Sequence, residues 1–415
     1  MKKHIFKNIF FIISILTLCI IACACSLNIF NKKVLPVPVI KVTTHDGNGC
    51  SLKKSDGYVS ADIVITDVYG SEMKDSANFK VRGNTTALDW IDKKSYAIKF
   101  EEKKNILDMG SGKKWALLAN AFDPTLLRNY IAFETAYELE IPYASEQRFV
   151  ELWVDDSFRG SYMLYETVQK GSDRVDIDIK SDKGMKDFLI ELDMKNEDED
   201  ETFFTIDEFK FRAAEPENPN DEQLNYIIDT MSGIIKALKS GHKDEVIKKL
   251  DMPSFTKYYL MNEYFKPFDF GVTSVYFYYK DGLLYAGPPW DYDLSMGNSN
   301  DEFGGRFSAA DATDGIFADK NLFSYLAKKT WFKKLVRDEF TAHKAFFSKL
   351  HTDGGILDTI YNTYSEEISR NYNDAGWDIS KWQLNIQRPP AKTYEENYNL
   401  LKGWLAERYM WFERY

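Results

Sequence analysis

Between Val39 and Glu166 the chain is a series of short β-rich runs split by Asp and Gly turns, and this pattern most restricts its fold. Val39–Thr44, Ala61–Thr66, Phe79–Arg82 and Ser95–Phe100 read as strands, with Asp46-Gly47-Asn48-Gly49 as one of the turns. One helix interrupts them. Leu126, Leu127, Tyr130, Ile131, Phe133, Ala136 and Tyr137 recur at three- and four-residue steps after Asp123-Pro124, which predicts a helix over 126–139. Strands return at Arg148–Val154 and Ser161–Glu166, joined by an Asp- and Gly-containing turn. Helical spacing then dominates from Leu224 onward, broken by a strand pair, Ser274–Tyr279 and Leu283–Ala286, turning at Lys280-Asp281-Gly282. The expectation is an α+β chain with a β-rich part over 39–166 and a mainly helical part over 167–415.

Such a chain has the means to bury a core without staples. It holds 9 Trp, 25 Tyr and 29 Phe among its 415 residues, against four cysteines. Three of those, Cys19, Cys23 and Cys25, crowd near the start and only Cys50 lies beyond, so neither a disulfide framework nor a Cys-based metal site is expected. The formal net charge of −11 argues against a nucleic-acid partner, because backbone binding needs a basic face. Lys2, Lys3 and Lys7 precede an apolar run from Ile9 to Ala22 that is short for a bilayer span of about 20 residues. That run ends in Ile20-Ile21-Ala22-Cys23, which resembles a bacterial lipobox. The expected order is a lipoprotein signal peptide over 1–22, a lipidated Cys23, a tether over 23–38 and a domain over 39–415. The mature protein would work outside the cytoplasmic membrane, touching it only through the lipid anchor.

Several chemistries are absent from the sequence. The five histidines form no HExxH pair, no G-x-S-x-G elbow occurs, and the acidic run Asn196–Glu201 reads as a solvated loop. Gly110-Ser111-Gly112-Lys113-Lys114 mimics a P-loop, but Leu107 stands for its first glycine and Lys114 for its Ser/Thr. What remains is a set of carboxylates. Asp269 follows an apolar helix, a hairpin comes next, and Asp291 and Asp293 lie 22 and 24 residues further on in Pro289-Trp290-Asp291-Tyr292-Asp293. In kinase-type phosphoryl transfer one carboxylate orients the acceptor hydroxyl and a second acidic motif after a hairpin holds Mg2+. Asp291 and Asp293, two apart in an extended segment, would point to one side. Asp-x-Asp is also common in turns and solvated edges, so this spacing alone leaves both readings open.

Six further strings carry a resemblance. Arg82-Gly83-Asn84-Thr85-Thr86, Lys93–Phe100, Lys114–Asn120, Asp123 with Leu127-Arg128-Asn129, Val150–Glu166, and Pro289–Asp293 with Gly297-Asn298 occur in the order seen in the spore coat protein H (CotH) kinase family. The closing stretch around Trp377 and Leu401–Trp411 is similar as well. The resemblance implies an atypical protein-kinase-like, two-lobed fold, with ATP and Mg2+ or Mn2+. The implied partner is a protein substrate rich in Ser or Thr, a surface or spore-coat protein. It makes Asp269 the catalytic aspartate and Asp291 and Asp293 the metal-binding motif. Ser274 stands where related kinases carry a metal-binding Asn, which alters that ligand.

Other assignments are less direct. No Gly-rich loop is present, and Arg82-Gly83-Asn84 takes its place, with a guanidinium and backbone N–H groups suited to phosphate. Lys99 in Ala97-Ile98-Lys99 resembles the kinase strand lysine, with Glu134 as its helix partner, while Lys94 is the competing candidate. Leu164–Val168, including Glu166, stands where a hinge would bind adenine, and Glu191 and Asp193 resemble a second acidic strand. Two other readings remain: a surface adhesin or scaffold of this fold, and a nucleotide-dependent transferase moving another group such as AMP.

Overall fold

The computed structural model describes residues 35–181, 184–195, 201–300, 310–315, 321–381 and 383–415. The expected signal peptide and Cys23 lie outside these residues, as does most of the acidic run. The tether, expected to reach residue 38, is docked from Leu35 onward. Leu35 donates to the Val68 carbonyl at 2.8 Å, and Val37 is buried.

Seven strands close into a barrel: β1 (Val39–Thr44), β2 (Val59–Thr66), β3 (Glu72–Arg82), β4 (Ser95–Asn105), β5 (Ser111–Leu118), β6 (Gln147–Val154) and β7 (Ser157–Glu166). Their order is β1-β2-β3-β4-β5-β7-β6. The neighbours along that order are antiparallel, and the seam is a parallel pairing of β1 with β6, Val39 to Glu151 through Val42 to Val154. Bulges in β4 after Lys99 and in β6 after Leu152 add the local twist that closure requires. Alternate residues point inward, Tyr96, Ile98 and Phe100 from β4 and Trp115 and Leu117 from β5 among them, and fill the barrel as one apolar core. Sequence reading anticipated a β-rich part but not a closed one.

The helix between β5 and β6, α1 (Arg128–Glu138), belongs to the other half. Its Ile131, Ala132 and Ala136 pack in the large core built by α2 (Asp221–Ser240), α3 (Lys243–Val246), α4 (Met252–Phe265), α5 (Thr330–Ala342), α6 (Lys344–Lys349), α7 (Ile356–Asn373) and α8 (Tyr394–Phe412). These helices surround a five-stranded antiparallel sheet ordered β11-β12-β10-β13-β14, made of β10 (Phe188–Leu192), β11 (Phe203–Ile206), β12 (Phe209–Glu215), β13 (Val275–Lys280) and β14 (Leu283–Ala286). A two-residue pair, β8 (Lys180–Ser181) with β9 (Gly184–Met185), precedes it. The molecule is therefore mixed α/β, and its second part is built on a sheet. Ala116, Met163 and Tyr165, on the outer face of β5 and β7, meet Phe133 of α1 and Trp290 where the two parts join. No helix among the described residues is long and apolar enough to cross a membrane.

Candidate active site

α4 is buried on nearly every side and ends at Lys266, whose φ of 50° turns the chain out of the helix. The turn brings the next residues alongside the acidic motif. Phe268 donates to the Leu294 carbonyl at 2.9 Å, and Met296 to the Phe265 carbonyl at 2.8 Å. This short ladder sets Asp269 beside Asp291 and Asp293. The acidic segment is a turn rather than the extended stretch expected, because Asp291 itself has a φ of 67°. A non-Gly residue in the left-handed region is held there only by its surroundings.

Those surroundings come largely from α1. Asn129 accepts from the Tyr292 N–H at 2.7 Å and donates to Asn120 at 2.9 Å. Arg128 is buried in an ion pair with Asp123 at 2.5 Å and donates to the Ser295 carbonyl at 3.0 Å. Asn298 donates to the carbonyls of Asp293 and Phe122, both at 2.7 Å. Gly297, with a φ of 80°, lies so close to Trp404 of α8 that a Cβ would come within 2.6 Å of the indole. Arg128 and Asn129, part of one of the strings that carry the family resemblance, are the scaffold of the acidic turn.

The three carboxylates feel one another. Burial first, and then the charge of Asp269, pushes Asp291 up to about 6, while Arg82 and Lys195 pull it back. Asp293 is raised by burial and by Asp291, Asp123 and Asp269. Like charges crowded in this way are short of positive charge. Arg82 lies over the Trp290 ring at 5.0 Å and is one of the cations acting on Asp291. One of its terminal N–H groups is buried with no partner among the described residues. On the other flank, Lys195 forms an ion pair with Asp269. Its place follows from the Met194 N–H, which donates to the Val272 carbonyl at 2.7 Å and draws the end of β10 to the turn that follows Asp269.

The remaining expected residues scatter. Asn84 is exposed and accepts from Lys54 at 2.5 Å. Lys94 donates to the Leu88 carbonyl. Lys99 faces outward from the barrel, over the Tyr58 ring at 5.8 Å. Glu134 lines a cavity of about 650 Å3 with Tyr130, Tyr364 and the first turn of α7. The expected Lys99–Glu134 pair therefore does not form, since β4 turns its apolar residues inward and Lys99 to the outside. Glu166 is buried in an ion pair with Arg174 and accepts from the Glu146 N–H at 2.7 Å. It lines a cavity of about 230 Å3 with Thr167, Val168, Gln169 and Pro288. Ser274 enters β13 with a φ of 59°, and no hydrogen bond joins it to the three carboxylates. Glu191 accepts from Arg212 at 3.0 Å, so that part of the second acidic strand is ion-paired. The P-loop mimic runs straight into β5, not into a helix.

Compared with protein families, the chain matches the CotH kinase protein model over residues 79–412. The chain belongs to the CotH kinase family. That span takes in Arg82, Asp269, Asp291 and Asp293 and stops at the end of α8. Among curated proteins no match is found. Membership of the CotH family supports a kinase and implies ATP with a divalent cation. The donors agree with that cation: Mg2+ is usually held by one or two carboxylates together with substrate phosphates, and the buried Asp293 lies within reach of the charge of Asp291, which is open to solvent. No group of three or more His, Cys, Asp or Glu side chains among the described residues forms a ready metal cage.

One residue of this CotH site escaped sequence reading. Lys195 continues the alternation of Glu191 and Asp193 past the end of β10, and three charged residues at every second position mark one polar face of a strand. That signal was available.

Proposed function

We propose that the chain is an extracytoplasmic, lipid-anchored protein kinase that transfers the γ-phosphoryl group of ATP to Ser or Thr hydroxyls of a surface or spore-coat protein. In this reading the barrel serves as the N-terminal lobe and the sheet with its helices as the C-terminal lobe of a kinase-like fold. The observation that carries it is the meeting of Asp269, Asp291 and Asp293 in one field with Arg82, whose buried N–H has no partner among the described residues. An unpaired buried guanidinium N–H is unfavourable on its own and is well matched to a phosphate oxygen.

Asp269 orients the acceptor hydroxyl and takes its proton. Asp291 and Asp293 hold the cation, Trp290 supports Arg82 from below, and Arg82 positions the phosphates. A bound Mg2+ supplies positive charge to the β- and γ-phosphate oxygens. The cavity beside Glu166 to Gln169 accepts the adenine. The test is incorporation of γ-label from ATP with Mg2+ or Mn2+ into the protein itself and into dephosphorylated casein. Asp269→Asn should abolish incorporation while leaving the melting curve in place. Label entering from the α-phosphate would indicate nucleotide transfer. No label with either metal would favour a binding protein of this fold.

A further inference from the structure

Lys195 is an odd residue to find on Asp269 if the pair is only structural. Its side chain is 45% exposed and that of Asp269 20%, and ion pairs so open to water contribute little to stability. The lysine is nonetheless placed with care. The Met194–Val272 backbone bond fixes its root, its own N–H donates to Asp193 at 3.1 Å, and its ammonium lies over the Phe268 ring, 5.7 Å from the centroid. Its charge reaches Asp291 as well as Asp269. Arg82 reaches Asp291 from the barrel, and Lys195 reaches it from the sheet. A phosphoryl group set between Asp269 and Asp291 would have one cation on each flank.

We propose that Lys195 is a catalytic residue, the second cationic arm on the transferred phosphoryl group, facing Arg82 across the cleft. This rests on the kinase reading above. In the step, the acceptor oxygen bonds to the γ-phosphorus as the bond to the β–γ bridging oxygen breaks. The bridging oxygen keeps the electron pair and leaves with ADP, and the hydroxyl proton passes to Asp269. An ammonium has three N–H donors. One stays on Oδ1 of Asp269, leaving its other oxygen for the hydroxyl, and another covers a non-bridging oxygen of the phosphoryl group. Lys195 remains protonated throughout. Its donors meet charge that grows only during transfer, so its effect falls on turnover rather than on ATP binding.

The experiment compares Lys195→Met and Lys195→Arg with the wild-type full chain in three measurements: γ-label transfer kinetics, melting temperature, and affinity for ADP with and without aluminium fluoride. Lys195→Met should lower kcat by about 10²-fold or more, the loss typical of removing one donor to developing charge. The KM for ATP, the melting temperature and ADP affinity should not change, whereas the tightening of ADP binding by aluminium fluoride should be lost. Lys195→Arg should recover part of both effects. A wild-type enzyme that transfers label while Lys195→Met keeps its kcat and its aluminium fluoride response overturns the assignment and leaves the kinase reading intact. So does a loss of activity that follows the melting temperature. A wild-type chain that neither transfers label nor binds either nucleotide complex overturns both.

Discussion

Glu367 of α7 is 3% exposed and accepts from the Ser161 hydroxyl at 3.1 Å. Burial, and then the nearby Glu151 carboxylate, pushes it up to about 7, although Arg370 works against the shift. The unfolded chain would titrate this group near its usual 4.5, so the folded state holds the proton more tightly. The stability it contributes is complete below about pH 4.5 and is lost as pH rises through about 7. Glu367→Gln keeps the acceptor and removes the charge. Its melting temperature should therefore fall less than that of the wild type between pH 5 and 8, and parallel profiles would refute the assignment. Arg82 makes a second test at this scale. Lys in its place keeps the charge but loses the guanidinium that lies over the Trp290 ring. Arg82→Lys should weaken ATP, read as KM, by the value of a charge-assisted hydrogen bond, about 1.5–3 kcal/mol or roughly 10- to 10²-fold.

Elements meet at Gly160 and at Asn129. Gly160 in β7, with a φ of 91°, lies against Asn371 of α7, and a Cβ there would come within 2.4 Å of the Asn371 amide oxygen. Gly160→Ala should push α7 off the barrel and destabilise the protein by about 1–3 kcal/mol in urea unfolding. Asn129→Ala should remove about 1–3 kcal/mol by leaving the Tyr292 N–H unpaired, and should lower phosphotransfer further because the acidic turn loses its anchor. The hairpin after Asp269 and the strand at Val39–Thr44 were legible almost to the residue, since turn chemistry and apolar runs are local signals. The three carboxylates were singled out by motif spacing together with the family resemblance. Their geometry did not, because it depends on backbone bonds between 268 and 294 and on an asparagine more than 150 residues away in sequence. The Lys99 assignment failed against its own neighbours: Tyr96, Ile98 and Phe100 already require Lys99 to face out.

At the scale of the molecule, barrel closure was invisible because β1 and β6 pair across more than a hundred residues and no turn joins them. Two large cores result, yet α1, set in the chain between two barrel strands, packs in the second, and Trp290 packs against the barrel wall. The two parts should therefore unfold together. Near- and far-ultraviolet circular dichroism should give one coincident thermal transition, and separate midpoints would show that the barrel stands alone. The last helix extends this dependence. Arg408 is fully buried and donates to the carbonyls of Glu263, Tyr264, Ala312 and Asp314, framing the helix end that leads to Asp269. Without that arginine those four oxygens would be left unanswered, so the frame of the turn after α4 depends on a helix more than a hundred residues away in sequence.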